Sequence, residues 1–551
     1  MTQLPPSSRT LVTLVLGLVL ALTSPVGAQD AAPSETFGEI IDVRVVNLEV
    51  VVEKDGERLY GLKPEDFVLR VDGAEVPIEY FTEVLGGRAV ASPEDRGGTV
   101  PALAPGEPVE TSYLVFVDDY FTVARDRDRV LDNLIEQLPS LQPDDRMAVV
   151  AFDGRSLEML STWTQSPRVM EQALQDAQRR DAYGLQRRAE RRIFETSNTF
   201  ADRGFGPRAR IDAFGLNIEE EQYALQLSDQ VRSAAMAATS ALRGFADPPG
   251  RKVMLLLSGG WPYDPSNWVV GDGQRTARAL REMRSERAIE AFAETANRLS
   301  YTVYPIDVPG LDSVVADVSD ATLEASNRRR AQTQQREFEE EAALRSIAAA
   351  TGGRAFLDGS RLKALSGAAD DTRSYYWLGF TPSWRGDDSA HQVDVDVRIP
   401  GAKVRSRAGF SDLSRSTEVT MMVESVLLFG GAPSGVPLDV QVERGKRSGW
   451  GKRTVPLEVR IPADELTYLP TQDGYVADLE LRVAVIDTSG DTAEIPVIPM
   501  QMRMSREPAE GEFALYETEM KMRKDRHDLV VSIYDRLSGK ILSSKVEVPA
   551  L

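Results

Sequence analysis

Apolar positions along the chain follow two periods, and the change from one to the other divides it. Tyr113 to Val117 are apolar on both faces, the pattern of a strand in the middle of a parallel sheet. The run ends abruptly in Asp118-Asp119-Tyr120-Phe121-Thr122. A helix follows with Val130, Leu131, Leu134, Ile135 and Leu138 on one face, then a second strand over Met147–Phe152. Ser156–Trp163 reads as an edge strand, and Ser166-Pro167 opens a helix as a cap followed by a first-turn proline. Val253–Leu257 and Tyr301–Val308 are further strands, separated by a helix whose apolar face carries Ile289, Phe292, Ala296 and Leu299. Leu344, Ile347 and Ala348 mark a helix that Thr351-Gly352-Gly353 terminates, and a strand at 355–357, a helix at 360–371 and a strand at 375–380 complete the series. Such alternation predicts an α/β, doubly wound (Rossmann-like) sheet over 111–372. A charged helical insert occupies about 175–246, interrupted by Gly204 and Gly206.

On either side the period is two. Strand-like runs at 43–52, 68–71 and 76–84 are separated by the turn signals Asp55-Gly56 and Asp72-Gly73, and 85–110 reads as a linker rich in Gly, Pro and Ala. These strands over 37–84 are too few to close a sandwich, whereas 373–410 supplies strands left over once the α/β sheet is complete. The two segments are therefore expected to form one β domain, with the α/β domain inserted between them. From Thr417 the chain reads as strands to its end, with turns at Asp473-Gly474, Ser489-Gly490 and Ser538-Gly539, so 417–551 is expected to be a second β-sandwich. The picture is a multidomain protein.

Composition narrows the function. With 551 residues, 42% hydrophobic and 27% charged, the chain is globular and too long for one ordinary core. A formal net charge of −21 argues against nucleic acid and anionic lipid as partners, since both need gathered Lys and Arg. Residues 1–28 read as a signal peptide: Arg9 as the positive flank, Leu11–Leu22 as an apolar core, and Val26-Gly27-Ala28 before the cleavage point at Gln29. No later run is long enough to span a membrane in the mature form. The absence of Cys removes disulfides, zinc thiolates and thiol catalysis, and points to a periplasmic or secreted bacterial location.

The acidic loop after a central strand resembles the von Willebrand factor type A (VWA) domain. Asp118-Asp119-x-x-Thr122, the run 251–260 and Tyr375-Tyr376-x-Leu378-Gly379-Phe380-Thr381-Pro382 resemble the acidobacterial group of VWA-related secreted proteins. The resemblance implies a metal-ion-dependent adhesion site, with Asp118, Asp119 and Thr122 as candidate ligands for Mg2+ or another divalent cation. That site is degenerate. The family's middle Ser is Tyr120, its later Asp is replaced by Gly259 in Ser258-Gly259-Gly260, and no Gly-Gly-Thr type loop lies between 164 and 250. The residues alone allow a second account, in which Asp118 and Asp119 cap the following turn and Thr122 bonds locally. The site is then expected to be empty, with no cofactor.

Function follows as an expectation of an exported, non-catalytic binding or scaffold protein that holds an unidentified protein partner on the rim of its VWA-like domain. Tyr120, Phe121, Ser258, Gly259 and Trp261 are the candidate rim residues; the three aromatics either anchor a partner or pack against the helical insert. The arginines at 187, 188, 191 and 192 read as a solvated helix face. A carboxylate-based envelope hydrolase and a structural envelope component are the alternatives. A Ser/His/Asp triad is not expected, because His391 and His527 lie in strand-like runs away from any nucleophile-elbow serine. Arg385-Gly386-Asp387 reads as a chance tripeptide.

Overall fold

The computed structural model describes residues 45–90, 103–202, 218–265 except 247 and 249, 269, 285–308, 338–429, and 436–550 except 444, 449, 450, 472, 473 and 488–494. The expected signal peptide, Gly204, Gly206, and the turns at Asp473 and at Ser489-Gly490 lie outside those residues. Two compact units divide the chain, 45–429 and the residues from 430 onward. It is a strand-rich, multidomain protein of several sheets.

The first unit begins with strands β1 (Val46–Lys54), β2 (Phe67–Val71) and β3 (Tyr80–Leu85). The α/β layer follows in chain order as β4 (Thr111–Asp118), α1 (Ala124–Gln137), β5 (Arg146–Phe152), β6 (Leu157–Thr164), α2 (Pro167–Gln178), α3 (Gly184–Asp202), α4 (Ile218–Gly244), β7 (Arg251–Ser258), α5 (Glu286–Arg298), β8 (Tyr301–Asp307), α6 (338–351) and α7 (Ala364–Arg373). The chain then returns to strands β9 (Tyr375–Phe380), β10 (Ala390–Val397), β11 (Ala402–Arg405) and β12 (Gly409–Ser411), and ends this unit in α8 (Arg415–Phe429).

Five strands form the central sheet in the order β8-β7-β4-β5-β6, parallel except for the antiparallel edge β6. Every residue of β4 is buried, because both faces of the sheet are covered. Leu114 and Phe116 point to one face with α4 and α5, while Tyr113, Val115 and Val117 point to the other with α1, α2 and α7. This two-sided burial is what makes the sequence of a parallel strand continuously apolar.

Strands from before and after the α/β layer pair with one another. β1 runs antiparallel to β9, with Leu48 opposite Leu378, and also to β11; β10 pairs with β2, with Val395 opposite Leu69. Leu48, Phe67, Phe81, Tyr376 and Phe410 share one core between these sheets. Asp55-Gly56 and Asp72-Gly73 take positive φ at both residues, as the right-handed twist of a two-residue hairpin demands.

Several expectations need correction. Residues 415–429 are helical: Val419, Met421, Val423, Val426 and Leu427 are buried, Met421 joins the core with α4, and Arg243 pairs with Glu424 at 3.0 Å. The expected strand at 355–357 is a single bridge between Phe356 and Ile306, and 360–371 is split into a 3-10 turn over Asp358–Lys363 and then α7. Residues within the expected 85–110 linker pair locally, with Arg88 bridged to Pro108 and Val109 buried.

The second unit is built of β13 (Asp439–Val442), β14 (Lys452–Pro462), β15 (Gly474–Asp487), β16 (Val497–Met504), β17 (Phe513–Arg523), β18 (His527–Asp535) and β19 (Ile541–Val548). β14 pairs with β13 and β17 in one sheet, and β16-β15-β18-β19 form the other. Val455, Leu457, Val459 and Ile461 from the first meet Leu479, Leu481, Val531 and Ile533 from the second in a single core. At Ser538-Gly539 the turn closes with the Gly539 N–H donated to Asp535 O at 2.8 Å and a positive φ at Gly539.

Candidate functional site

The parallel register places the ends of β4 and β7 side by side, with Val117 opposite Leu257, so Asp118 meets Ser258 at the carboxyl edge of the sheet. In open α/β sheets this edge is where ligands bind. Here it is filled by the protein's own donors. Oδ1 of Asp118 accepts the backbone N–H groups of Tyr120 and Phe121, each at 3.2 Å, an Asx turn that folds the loop back on itself. Oδ2 accepts the Ser258 hydroxyl and the Trp261 indole N–H, each at 2.8 Å. Burial still dominates: it raises the Asp118 carboxyl to about 6, and the hydrogen bonds only offset part of the shift.

Asp119 points the other way and does not cap the turn. Its Oδ1 accepts from Arg127 Nη1 at 2.6 Å and its Oδ2 from Arg180 Nε at 2.8 Å. Arg127, in the first turn of α1, is fully buried and also donates to the carbonyls of Gln178 and Arg180 at 2.9 and 3.0 Å, at the end of α2. Arg180 pairs in turn with Glu158 on β6. Burial pushes the Asp119 carboxyl up, and the two guanidiniums oppose it. The carboxylate thus joins β4, α1, α2 and β6 at one point.

Thr122 donates its backbone N–H to Asp118 O at 3.2 Å, and its buried hydroxyl has no hydrogen-bond partner. The three candidate ligands do not fit a divalent cation as placed. Both oxygens of Asp119 face guanidinium groups, and all four contacts of Asp118 are donors, whereas a hard cation needs free, converging oxygens.

The expected partner rim also needs correction. Phe121, Ser258, Gly259 and Trp261 are buried. Trp261 meets the ring of Phe292 edge-on at 6.0 Å, and Phe121 lies in the same core as α4. Packing against the helices is the role these aromatics take. Tyr120 alone is half-buried. Its ring lies 4.6 Å from the Arg187 guanidinium, its hydroxyl accepts from Arg187 Nη1 at 2.8 Å, and it covers Gly154, where a Cβ would fall 2.2 Å from the ring. Arg187 is therefore buried and bonded, not part of a solvated face. The backbone locks the same contact: Tyr183 N–H donates to Asp119 O at 2.8 Å and Gly184 N–H to Thr122 O at 2.9 Å.

What remains open beside the loop is a groove of about 580 Å3, lined by Tyr120 and by Gln222, Leu225, Gln226, Asp229 and Gln230 of α4. Sequence reasoning missed it, though a signal exists. Gln222, Gln226 and Gln230 recur every four residues, a polar column on a helix otherwise rich in alanine.

A second constellation lies on the β layer. Ser389 immediately precedes β10 and His391 is its second residue, and the turn after β2 brings Asp72 to them. The Ser389 hydroxyl is 3.1 Å from His391 Nε2, and His391 Nδ1 is 2.8 Å from Asp72 Oδ2. A triad is not expected from sequence, yet these three side chains are in hydrogen-bonding contact; the serine is not on a nucleophile elbow, so a motif search passes over it.

No family model matches the chain, and no curated relative does. Among solved structures, a β-glucuronidase of Bacteroides uniformis is 10% identical with a TM-score of 0.15, covering 33% of this chain and 19% of that one. A pilus adhesin, SpaC, of Lactobacillus rhamnosus GG is 9% identical with a TM-score of 0.21, covering 90% of this chain and 62% of the adhesin. A calcium-binding mutant of B. uniformis β-glucuronidase 2 is 12% identical at a TM-score of 0.15, and the chain spans 13% of its length. Similarity at this level carries no functional argument.

Proposed function

We propose that this is an exported binding or scaffold protein, non-catalytic at its α/β layer, that this layer is a VWA-like domain with its ion site closed, and that a protein partner is held beside Tyr120 and α4. The observation that carries the reading is the occupation of Asp118 and Asp119 by Trp261, Ser258, Arg127 and Arg180. Carboxylates saturated by fixed donors neither take up a cation nor shuttle a proton to a substrate, which weighs against the hydrolase alternative at this edge. The strand order and the Asp118-x-x-x-Thr122 spacing at the end of the central strand support the VWA assignment. Export rests on the sequence of residues 1–28.

Gln222, Gln226 and Asp229 offer hydrogen bonds, and the exposed Leu225 and half-buried Tyr120 offer apolar contact, a mixture suited to a protein surface. Capture from envelope extract with the full chain as bait tests this, run beside the variants Leu225→Asp and Gln226→Arg at matched melting temperature. A protein retained by the native chain and lost with both variants supports the groove. One retained equally by all three rules the groove out as the binding surface.

A further inference from the structure

We infer that Ser389, His391 and Asp72 form a hydrogen-bonded nucleophile relay able to hydrolyse activated carboxylic esters, an activity separate from the proposed binding surface. The three side chains stand in the order that acyl transfer requires. The Asp72 carboxylate can only accept, so His391 Nδ1 carries the proton of the 2.8 Å bond, and in the neutral imidazole Nε2 then turns its lone pair toward the Ser389 hydroxyl at 3.1 Å. Asp72 is itself fixed, its Oδ1 accepting the Gln392 N–H at 2.9 Å while its own N–H donates to Gln392 O at 2.9 Å. The imidazole stacks on Phe410 at 4.9 Å between centroids, which sets the plane of the ring. The bonds from His391 and the Gln392 N–H hold the Asp72 carboxyl below the ordinary range, so it is ionised at neutral pH.

Ser389 and His391 are both half-buried and reachable from solvent. Asp387 accepts the Ser389 N–H at 3.1 Å and lies within reach of the same hydroxyl, so it competes with His391 for the single hydroxyl proton. Arg385, on the same loop, helps hold the Asp387 carboxyl below its ordinary range. In the reaction, Ser389 Oγ bonds to the ester carbonyl carbon as its proton passes to His391 Nε2. The carbon–oxygen bond to the leaving alcohol then breaks, and the alcohol departs with the proton from Nε2. Water attacks the acyl-serine, its proton again taken by His391, and the carboxylic acid is released with the serine restored. A solvent-reachable site of this kind suits esters with good leaving groups.

The full chain is tested with p-nitrophenyl acetate and with a fluorophosphonate probe, the adduct being located by mass spectrometry. The expected result is probe on Ser389 and ester turnover that Ser389→Ala and His391→Gln each reduce by on the order of a hundredfold, the ordinary contribution of a positioned general base. The chain has no cysteine, so in Ser389→Cys the introduced thiol is the only one, and its alkylation by iodoacetamide reports on His391 independently of turnover. The pH midpoint of alkylation should lie below that of an ordinary thiol and rise again when His391→Gln is added. Absence of probe at Ser389, turnover unchanged in Ser389→Ala, or an ordinary thiol midpoint unaffected by His391→Gln would each overturn the inference. None of these outcomes bears on the groove beside α4, which is tested by capture.

Discussion

Asp118 and Trp261 are joined by one hydrogen bond of 2.8 Å inside the core, and two consequences follow for single residues. Trp261→Phe keeps most of the packing on Phe292 and removes the donor, leaving a buried carboxylate oxygen one bond short. Chemical denaturation should register a loss of about 1–3 kcal/mol. The second consequence concerns pH. Asp118 titrates at about 6 in the folded protein against an ordinary 3.8, so between those values the folded state binds the extra proton. Its contribution therefore favours folding at the acid end of that window and is lost as pH rises through it. The stability difference between the native chain and Asp118→Asn, followed across that window, should fall with rising pH; a difference that is flat would contradict the assignment. Arg127 stands opposite in sign. Its removal in Arg127→Ala leaves Asp119 with one guanidinium and should cost about 3–5 kcal/mol by the same measurement. None of these partnerships could be read from sequence spacing, because Trp261 and Arg180 reach the loop only through the fold. Arg187 failed for the same reason: four arginines in a charged helix look solvated until Tyr120 is placed beneath one of them.

At the scale of elements, the loop 118–122 is gripped between β4 and the start of α3. Gly184 meets Thr122 O so closely that a Cβ would fall 2.4 Å away, and Gly184→Ala must therefore shift α3 or the loop. Limited proteolysis should cleave the α3 region faster in that variant, with a stability loss of about 1–3 kcal/mol; unchanged protection would show that the two elements are not coupled. The helix α8 shows how a pattern misleads. Val419, Met421 and Val423 alternate as a strand would and all three are buried, yet the segment is helical, with Val426 and Leu427 also buried and Met421 in the core shared with α4. Short apolar runs satisfy both periods, and only the neighbour, here α4, decides between them. By contrast β4, β5 and β7 were legible because burial on both faces leaves no polar position to confuse the reading.

For the whole molecule, strand counting was informative. The first three β segments could not close a core, so their partners had to come from elsewhere, and the ladders β1-β9 and β2-β10 supply them. What sequence could not supply was the state of the sheet's carboxyl edge, since an acidic loop reads alike whether its carboxylates face a cation or the protein's own arginines. The central claim is that this edge is closed by Trp261, Ser258, Arg127 and Arg180. Thermal melting of the full chain in millimolar magnesium or manganese, and in EDTA, tests it most directly. An ion that binds only the folded state adds about 2.7 kcal/mol at a hundredfold excess over its dissociation constant. With the edge closed, the melting temperature is the same in all three conditions, whereas a saturable rise with either metal that Asp118→Ala abolishes would show an open ion site.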